Sequence, residues 1–333
     1  MNFCTFTALL CSAVKGFDNM TNCYITRNNY LEELTGPETG CWVNLIAPSE
    51  SEINRISNKY NLDIDALKAA LDADERSRIE IEDNYTMILV NIPVIEAESD
   101  KELYSTVPLA IIVVDDAVIT VCSEDTPILR QFSNGKVKDF YSNMKSRFIL
   151  QILYRTSSMF LTYLRIIDRK SENVESELHK SQRNKELIEL LKLEKSLVYF
   201  TTALRSNEAI LEKLLRLEII KKYPEDVDLL EDVIVENKQA IEMANIYSGI
   251  LSGTMDAFAS VISNNLNIVM KVLSVITIVL SIPTLIFSAY GMNTNLAGMP
   301  FAQSPWGFLI VVVFAIVISL IAMVVFMKSK FLK

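Results

Sequence analysis

Between Val272 and Met327 the chain has 56 consecutive residues without a single Asp, Glu, Lys or Arg. They divide into two apolar runs, residues 272–290 and 307–327, of 19 and 21 residues. About 20 apolar residues match a hydrocarbon core about 30 Å thick, so each run can span a bilayer. Lys271 closes one edge of the first run, Lys328, Lys330 and Lys333 follow the second, and the segment between them is uncharged. Basic flanks at both outer ends predict a plasma (inner) membrane protein with both termini in the cytoplasm. Tyr290 and Trp306 stand where interfacial aromatics are expected.

The charge lies elsewhere. No acidic residue follows position 270, and residues 1–270 carry 28 basic against all 41 acidic side chains, a formal charge of −13. Such a domain is a poor partner for nucleic acid. An acidic field raises the local concentration of cations, and plain solubility is the other reading of the same charge. The five cysteines, Cys4, Cys11, Cys23, Cys41 and Cys122, are odd in number and form no C-x-x-C pair, so reduced thiols are expected. The single histidine, His179, falls in a polar helical stretch and reads as a solvated surface residue rather than a zinc ligand. Residues 1–19 have an apolar patch but neither a basic start nor a small-residue cleavage site, so they make a poor signal peptide. Met20 is expected to be an alternative start.

Residues 1–21 are expected to be weakly ordered and 22–136 to form an α/β domain. Residues 41–46, 79–82, 86–95, 108–114 and 118–122 read as strands, with a hairpin-like turn at Asp115-Asp116. Ser49 or Ser51 caps one helix and Asp63 caps another that ends near Leu71. From 137 to 223 apolar residues recur at three- and four-residue spacing over 140–181 and 185–222, predicting a helical hairpin. Tyr223-Pro224 breaks it. No convincing breaker follows before Pro283, so 224–290 reads as one stalk helix of about 66 residues, roughly 100 Å at 1.5 Å per residue, continuing into the first span. Residues 291–305 then form an extracellular loop, 306–327 the second span and 328–333 a basic cytoplasmic tail.

One face of the stalk is unusual. Steps of three and four residues from Gly253 reach Asp256, Ser260, Ser263, Asn267, Met270, Ser274, Thr277, Ser281, Thr284 and Ser288. They form one stripe with a period of about 3.5, and all but Met270 are polar or small. In a bilayer such side chains face protein or water. Close helix packing through small residues is one reading; a pore lining is the other, favoured because the stripe continues below the membrane through Asn267 and Asp256. One two-span chain cannot enclose a pore. The stripe therefore predicts a symmetric homo-oligomer with the bulky second span, polar only at Ser319, outside facing lipid.

Tyr290-Gly291-Met292-Asn293, placed directly after the first of two C-terminal spans, resembles the signature of the CorA magnesium transporter family. The order of acidic domain, long helix, span, motif, neutral loop, span and lysine-rich tail is similar too, as is Met270-Lys271-Val272-Leu273 at the membrane entry. The resemblance covers residues 22–333, most strongly after 225. It implies an α+β, funnel-shaped homopentamer that conducts divalent cations, with the N-terminal α/β domain in the cytosol and stalk helices around the axis. Mg²⁺ prefers octahedral oxygen coordination and sheds water reluctantly, so a site can hold the hydrated ion through neutral oxygens. In this frame Gly291, Met292 and Asn293 form the selectivity filter, Asn293 supplying a ring of amide oxygens. Gly291 lets the helix end in a backbone conformation that other residues resist. Thr284, Ser281, Thr277 and Asn267 offer further oxygens. Met270 and Leu273 form a dewetting constriction, and Asp256 a carboxylate ring below it.

The resemblance has departures. Met299-Pro300 is followed by Phe301 where many members carry an acid, so ion capture at the outer mouth should be weaker. Family members also gate through interface carboxylates: Asp232 matches one, but Lys68 and Ala69 stand where its partners are expected, before Asp74-Glu75-Arg76-Ser77-Arg78. Feedback by Mg²⁺ is therefore expected to be weakened or moved to Asp72 or Asp74. No cofactor is expected, Mg²⁺ entering as transported and regulatory ion; the partners are further copies of the chain, the bilayer and divalent cations. The leading function is passive Mg²⁺ uptake, followed by Zn²⁺, Co²⁺ or Ni²⁺ transport on the same scaffold, with Met292 favouring magnesium. A non-conducting membrane-anchored sensor is a third reading. An enzyme is least supported, since no phosphate-binding glycine loop, nucleophile elbow or histidine acid/base pair is present.

Overall fold

A computed structural model describes residues 21–27, 30–98, 101–181, 184–216, 223–293, 299–301 and 304–328. The expectations for residues 1–19, Met20, Cys4, Cys11, the side chain of His179 and the tail lysines Lys330 and Lys333 lie outside the described residues. The chain divides into two compact units, one through Ser252 and one from Gly253.

The first unit is built on a seven-stranded sheet in the order β2-β1-β3-β7-β6-β5-β4. Its strands are β1 (Thr21–Arg27), β2 (Tyr30–Leu34), β3 (Cys41–Ile46), β4 (Arg78–Ile81), β5 (Thr86–Glu98), β6 (Lys101–Val113) and β7 (Ala117–Cys122). Only β3 and β7 pair in parallel; the other neighbours are antiparallel. Both sheet faces are covered, which explains why β3 and β7 read as mainly apolar runs, each with one buried polar residue, rather than alternating ones. Along β5, Met87 and Leu89 join one core and Ile88, Val90 and Ile92 the other.

On one face lie α1 (Glu50–Tyr60), α2 (Ile64–Lys68) and a 3₁₀ turn (Ala69–Leu71). Ser49 and Glu52 close a capping box at the start of α1, and the Asp63 carboxylate accepts from the Asp65 amide at the start of α2. Both caps are where the sequence predicts them. On the other face lie α3 (Pro127–Ser133), α4 (Lys145–Ser181) and α5 (Asn184–Leu214). Trp42 sits there among Phe132, Phe140 and Phe148, each edge-on, with ring centroids 5.4–6.3 Å away. Its indole N–H donates to Thr120 Oγ1 at 2.8 Å, and Thr120 donates to Asn44 at 2.9 Å, so the buried polar groups are paired. Leu230 and Val233 of α6 (Pro224–Tyr290) complete this core.

Helix α6 is 67 residues long and passes through Pro283 without interruption. The second unit contains its C-terminal part and α7 (Gly307–Lys328). Gly307, Val311 and Ala315 of α7 are buried, a ridge of four-residue steps with small residues at two of its three positions. Val275 of α6 is buried as well. Both helices are long and apolar enough to cross a membrane.

Candidate functional site

Every member of the polar stripe on α6, from Asp256 through Ser260, Ser263, Asn267, Met270, Ser274, Thr277, Ser281 and Thr284 to Ser288, is exposed in the single chain. So is Leu273, at 55%, beside Met270, at 53%. The stripe is therefore not consumed by packing against α7. Five of its seven hydroxyls are turned back on the helix. Ser260, Ser274, Thr277 and Thr284 donate to carbonyls four residues back, at 2.8–3.1 Å, and Ser281 donates to Ile278 at 2.8 Å. A hydroxyl whose hydrogen is held by its own helix keeps its two lone pairs for other donors or cations. The arrangement thus presents a ladder of neutral oxygen acceptors along one helix face.

The ladder ends at the Tyr290 motif. The Gly291 amide closes the last turn of α6 on the Phe287 and Ser288 carbonyls, at 2.9 and 3.2 Å. The expectation that Gly291 ends the helix in the left-handed region is corrected here. Among the described residues only Gly40 and Gly135 are positive-φ glycines, and a Cβ at Gly291 would stand 3.4 Å from the Phe287 carbonyl, an ordinary contact. Gly291 therefore does not take a positive φ, and neither its backbone nor the space around it within one chain requires glycine at this position. Met292 and Asn293 follow, both exposed.

Tyr290 does more than sit at an interface. Its hydroxyl donates to the Pro300 carbonyl at 2.8 Å, tying the far side of the loop to the end of the helix that carries the motif. The sequence offers only a weak signal for this, an aromatic hydroxyl at a helix end followed ten residues later by proline. The second helix turns apolar residues outward, with Phe308 85% exposed, and the Ser319 hydroxyl is satisfied by the Ala315 carbonyl at 2.8 Å.

The three carboxylates singled out for regulation are all exposed: Asp232 on α6, and Asp72 and Asp74 in the loop before β4. Asp72 accepts from the Asp74 amide at 3.0 Å. Among the described residues no group of three or more His, Cys, Asp or Glu side chains is placed to hold a metal, so one chain does not assemble these residues into a centre. Lys68 is paired with Glu50 at 3.3 Å, and Ala69 is buried. Arg78 is held between Glu75 and Glu80, so the carboxylates that follow Asp74 already have an internal cation.

A model of the CorA-like Mg²⁺ transporter protein family matches residues 37–328. The chain belongs to the CorA family. A cobalt/magnesium transport protein CorA of Methanocaldococcus jannaschii is 26% identical over 297 residues, 86% of this chain and 90% of the relative. The protein of the same name from Thermotoga maritima is 24% identical over 310 residues, 88% of this chain and 84% of the relative. The complete structure of the M. jannaschii CorA magnesium transporter superposes with a TM-score of 0.79 at 23% identity, covering 95% of this chain and 99% of the other. The sheet domain, the long helix and the two apolar C-terminal helices are thus the CorA fold, and the chain is a membrane protein of a transporter family.

Proposed function

We propose that this CorA-family chain forms a homopentameric pore for passive uptake of Mg²⁺, with a ring of Asn293 side chains selecting the hydrated ion. The observation that carries the reading is the unpacked oxygen ladder on α6 leading directly into Tyr290-Gly291-Met292-Asn293. Neutral oxygens suit an ion that keeps its water, since amide and hydroxyl groups accept from the hydration shell without stripping it. Met270 and Leu273 supply an apolar collar that closes by dewetting. Asp256, the last acidic residue in the chain, concentrates cations on the cytoplasmic side. The charge pattern supports cytoplasmic termini.

The test is Mg²⁺ influx into liposomes holding purified protein, under an imposed negative-inside potential. Wild type is expected to conduct, and Asn293→Ala to abolish the flux while leaving the oligomer intact. A folded, oligomeric wild type that passes no Mg²⁺ would sink the reading. Cobalt is the second cargo to try, because both curated relatives are named as cobalt/magnesium transport proteins.

Feedback by the transported ion is proposed to use Asp72 or Asp74 rather than the Asp232 position alone, since Lys68 and Ala69 offer no carboxylate. Mg²⁺-dependent protection from limited proteolysis should then fall on Asp72→Lys. Loss on Asp232→Lys with none on Asp72→Lys argues for Asp232 instead.

A further inference from the structure

A cavity of about 470 Å³ opens in the first unit between the segment after α3 and the first turns of α4. Its wall carries Lys136, Lys138, Arg147 and Arg155 against one carboxylate, Asp139. A lining charge of +3 stands out in a region whose formal charge is −13. Among the described residues Lys136, Lys138 and Arg155 have no carboxylate partner, and Arg147 is paired with Glu225 at 3.0 Å. Arg155 is partly buried: it lies over the Phe132 ring, 5.7 Å from its centroid, and donates to the Gln131 amide oxygen. Burial without a carboxylate disfavours its charged form, the cost that an incoming anion would remove.

A second polar group is also unsatisfied. Gln151 donates its amide hydrogens to the Lys138 and Asp139 carbonyls, at 3.4 Å each, which fixes which end of the amide is which. Its oxygen is then left buried without a hydrogen-bond partner. That oxygen has no accessible surface, so Gln151 braces the cavity wall through its amide hydrogens and does not offer its oxygen to a ligand. Tyr154, 39% exposed, adds an aromatic face to the same wall.

We propose that this cavity binds a soluble nucleotide. Its phosphates meet Arg155, Lys136 and Lys138, the guanidinium offering the forked donors that suit phosphate oxygens. The base or sugar lies against Tyr154. The cavity volume falls in the range of about 300–1,000 Å³ usual for small-molecule sites. A bound phosphate also competes with Glu225 for Arg147 at the start of α6. The site stands on the sheet domain alone and is independent of the transport reading.

The experiment is titration calorimetry on the full-length, detergent-solubilised protein with ATP in EDTA, with pyrophosphate as a second probe. Saturable binding of ATP is expected, tighter than that of pyrophosphate. Two exposed-residue changes together, Lys136→Gln with Lys138→Gln, should weaken both probes by about tenfold or more, the effect of losing charge-assisted hydrogen bonds. Tyr154→Ala should weaken ATP and leave pyrophosphate unchanged. No heat with millimolar ATP, binding untouched by the double lysine change, or pyrophosphate bound as tightly as ATP would overturn the proposal. Because both lysines are exposed and their backbone bonds survive the substitution, unaltered thermal melting of that variant keeps the result readable.

Discussion

The two halves of helix α6 obey opposite rules. In the first, Leu230, Val233, Ala240, Ala244 and Leu251 are buried at three-, four- and seven-residue spacing and the charged residues between them face out. That is the amphipathic pattern of a helix in water. In the second, exposure covers both kinds of residue: Leu280 is 64% and Leu285 75% exposed, and so are the serines and threonines of the stripe. Exposure of an isolated chain is therefore one word for two situations. The apolar exposed residues suit lipid. The polar ones, at membrane depth, suit a second copy or a water-filled axis. One continuous helix thus carries a water-facing code, a lipid-facing code and a polar stripe at membrane depth, and only the first is satisfied within a single chain.

The contrast is broken most violently by one charge. Val233 is fully buried, so Val233→Asp places an unpaired carboxylate in the core of the sheet unit. An uncompensated buried charge costs about 3–5 kcal/mol, a large share of the ~5–15 kcal/mol that holds a domain together. The cooperative melt of the sheet unit should be lost or shifted far down. The same residue type introduced on the exposed stripe, as Ser260→Asp, should leave that melt unchanged. If both variants melt alike, the two halves do not follow different rules.

A smaller effect sharpens the division within the membrane half. The Thr277 hydroxyl donates to the Leu273 carbonyl at 2.9 Å, so Thr277→Leu removes no bond that the helix needs. It removes outward lone pairs. Flux should fall about tenfold, the order expected for losing an oxygen that contacts a hydrated cation, with the oligomer preserved. Helix packing through small residues makes the reverse forecast: oligomer loss measured by crosslinking, and no specific effect on conduction in the oligomer that remains.

Much of the fold is legible in the sequence, and the departures from it have physical causes. Ser49, Asp63 and the Asp115-Asp116 turn announce themselves because caps and tight turns are local chemistry. The strand around Pro108 is longer than its apolar run: β6 begins at Lys101 rather than near Pro108. Residues 101–107 are too polar to signal a buried strand, yet they pair with β5, Pro108 lying opposite Asn91 and Pro93 opposite Thr106. Prolines are tolerated there because β7 pairs only with Leu109–Val113 and β4 only with Thr86–Leu89, leaving one side of each strand free. Phe140 reads as the start of a helix by its spacing, but α4 begins at Lys145. Phe140 is buried for another reason, its place beside Trp42 and Phe132. In the site, the motif and the stripe are sequence-visible because both are periodic or contiguous. The basic cavity is not, since its cations come from separate segments and are outnumbered along the acidic chain. Nor is the direction of each hydroxyl, which only the helix carbonyls decide.

The smallest expected effect concerns the junction where the oxygen ladder meets the loop. Tyr290→Phe keeps the ring and removes the donor to the Pro300 carbonyl, one hydrogen bond worth about 1 kcal/mol. The end of α6 should survive, because its last turn is closed by the Gly291 amide and not by Tyr290. What should loosen is the loop. Hydrogen exchange at the Phe301 amide, next to Pro300, should accelerate several-fold, as a local opening free energy lowered by that amount implies. Exchange within α6 should stay as it was. If the helix end also opened, the tie would belong to the helix rather than to the loop, and Asn293 would owe its place to Tyr290. If neither changed, the hydroxyl contact would hold nothing, and the position of Asn293 would depend on neighbours outside the chain.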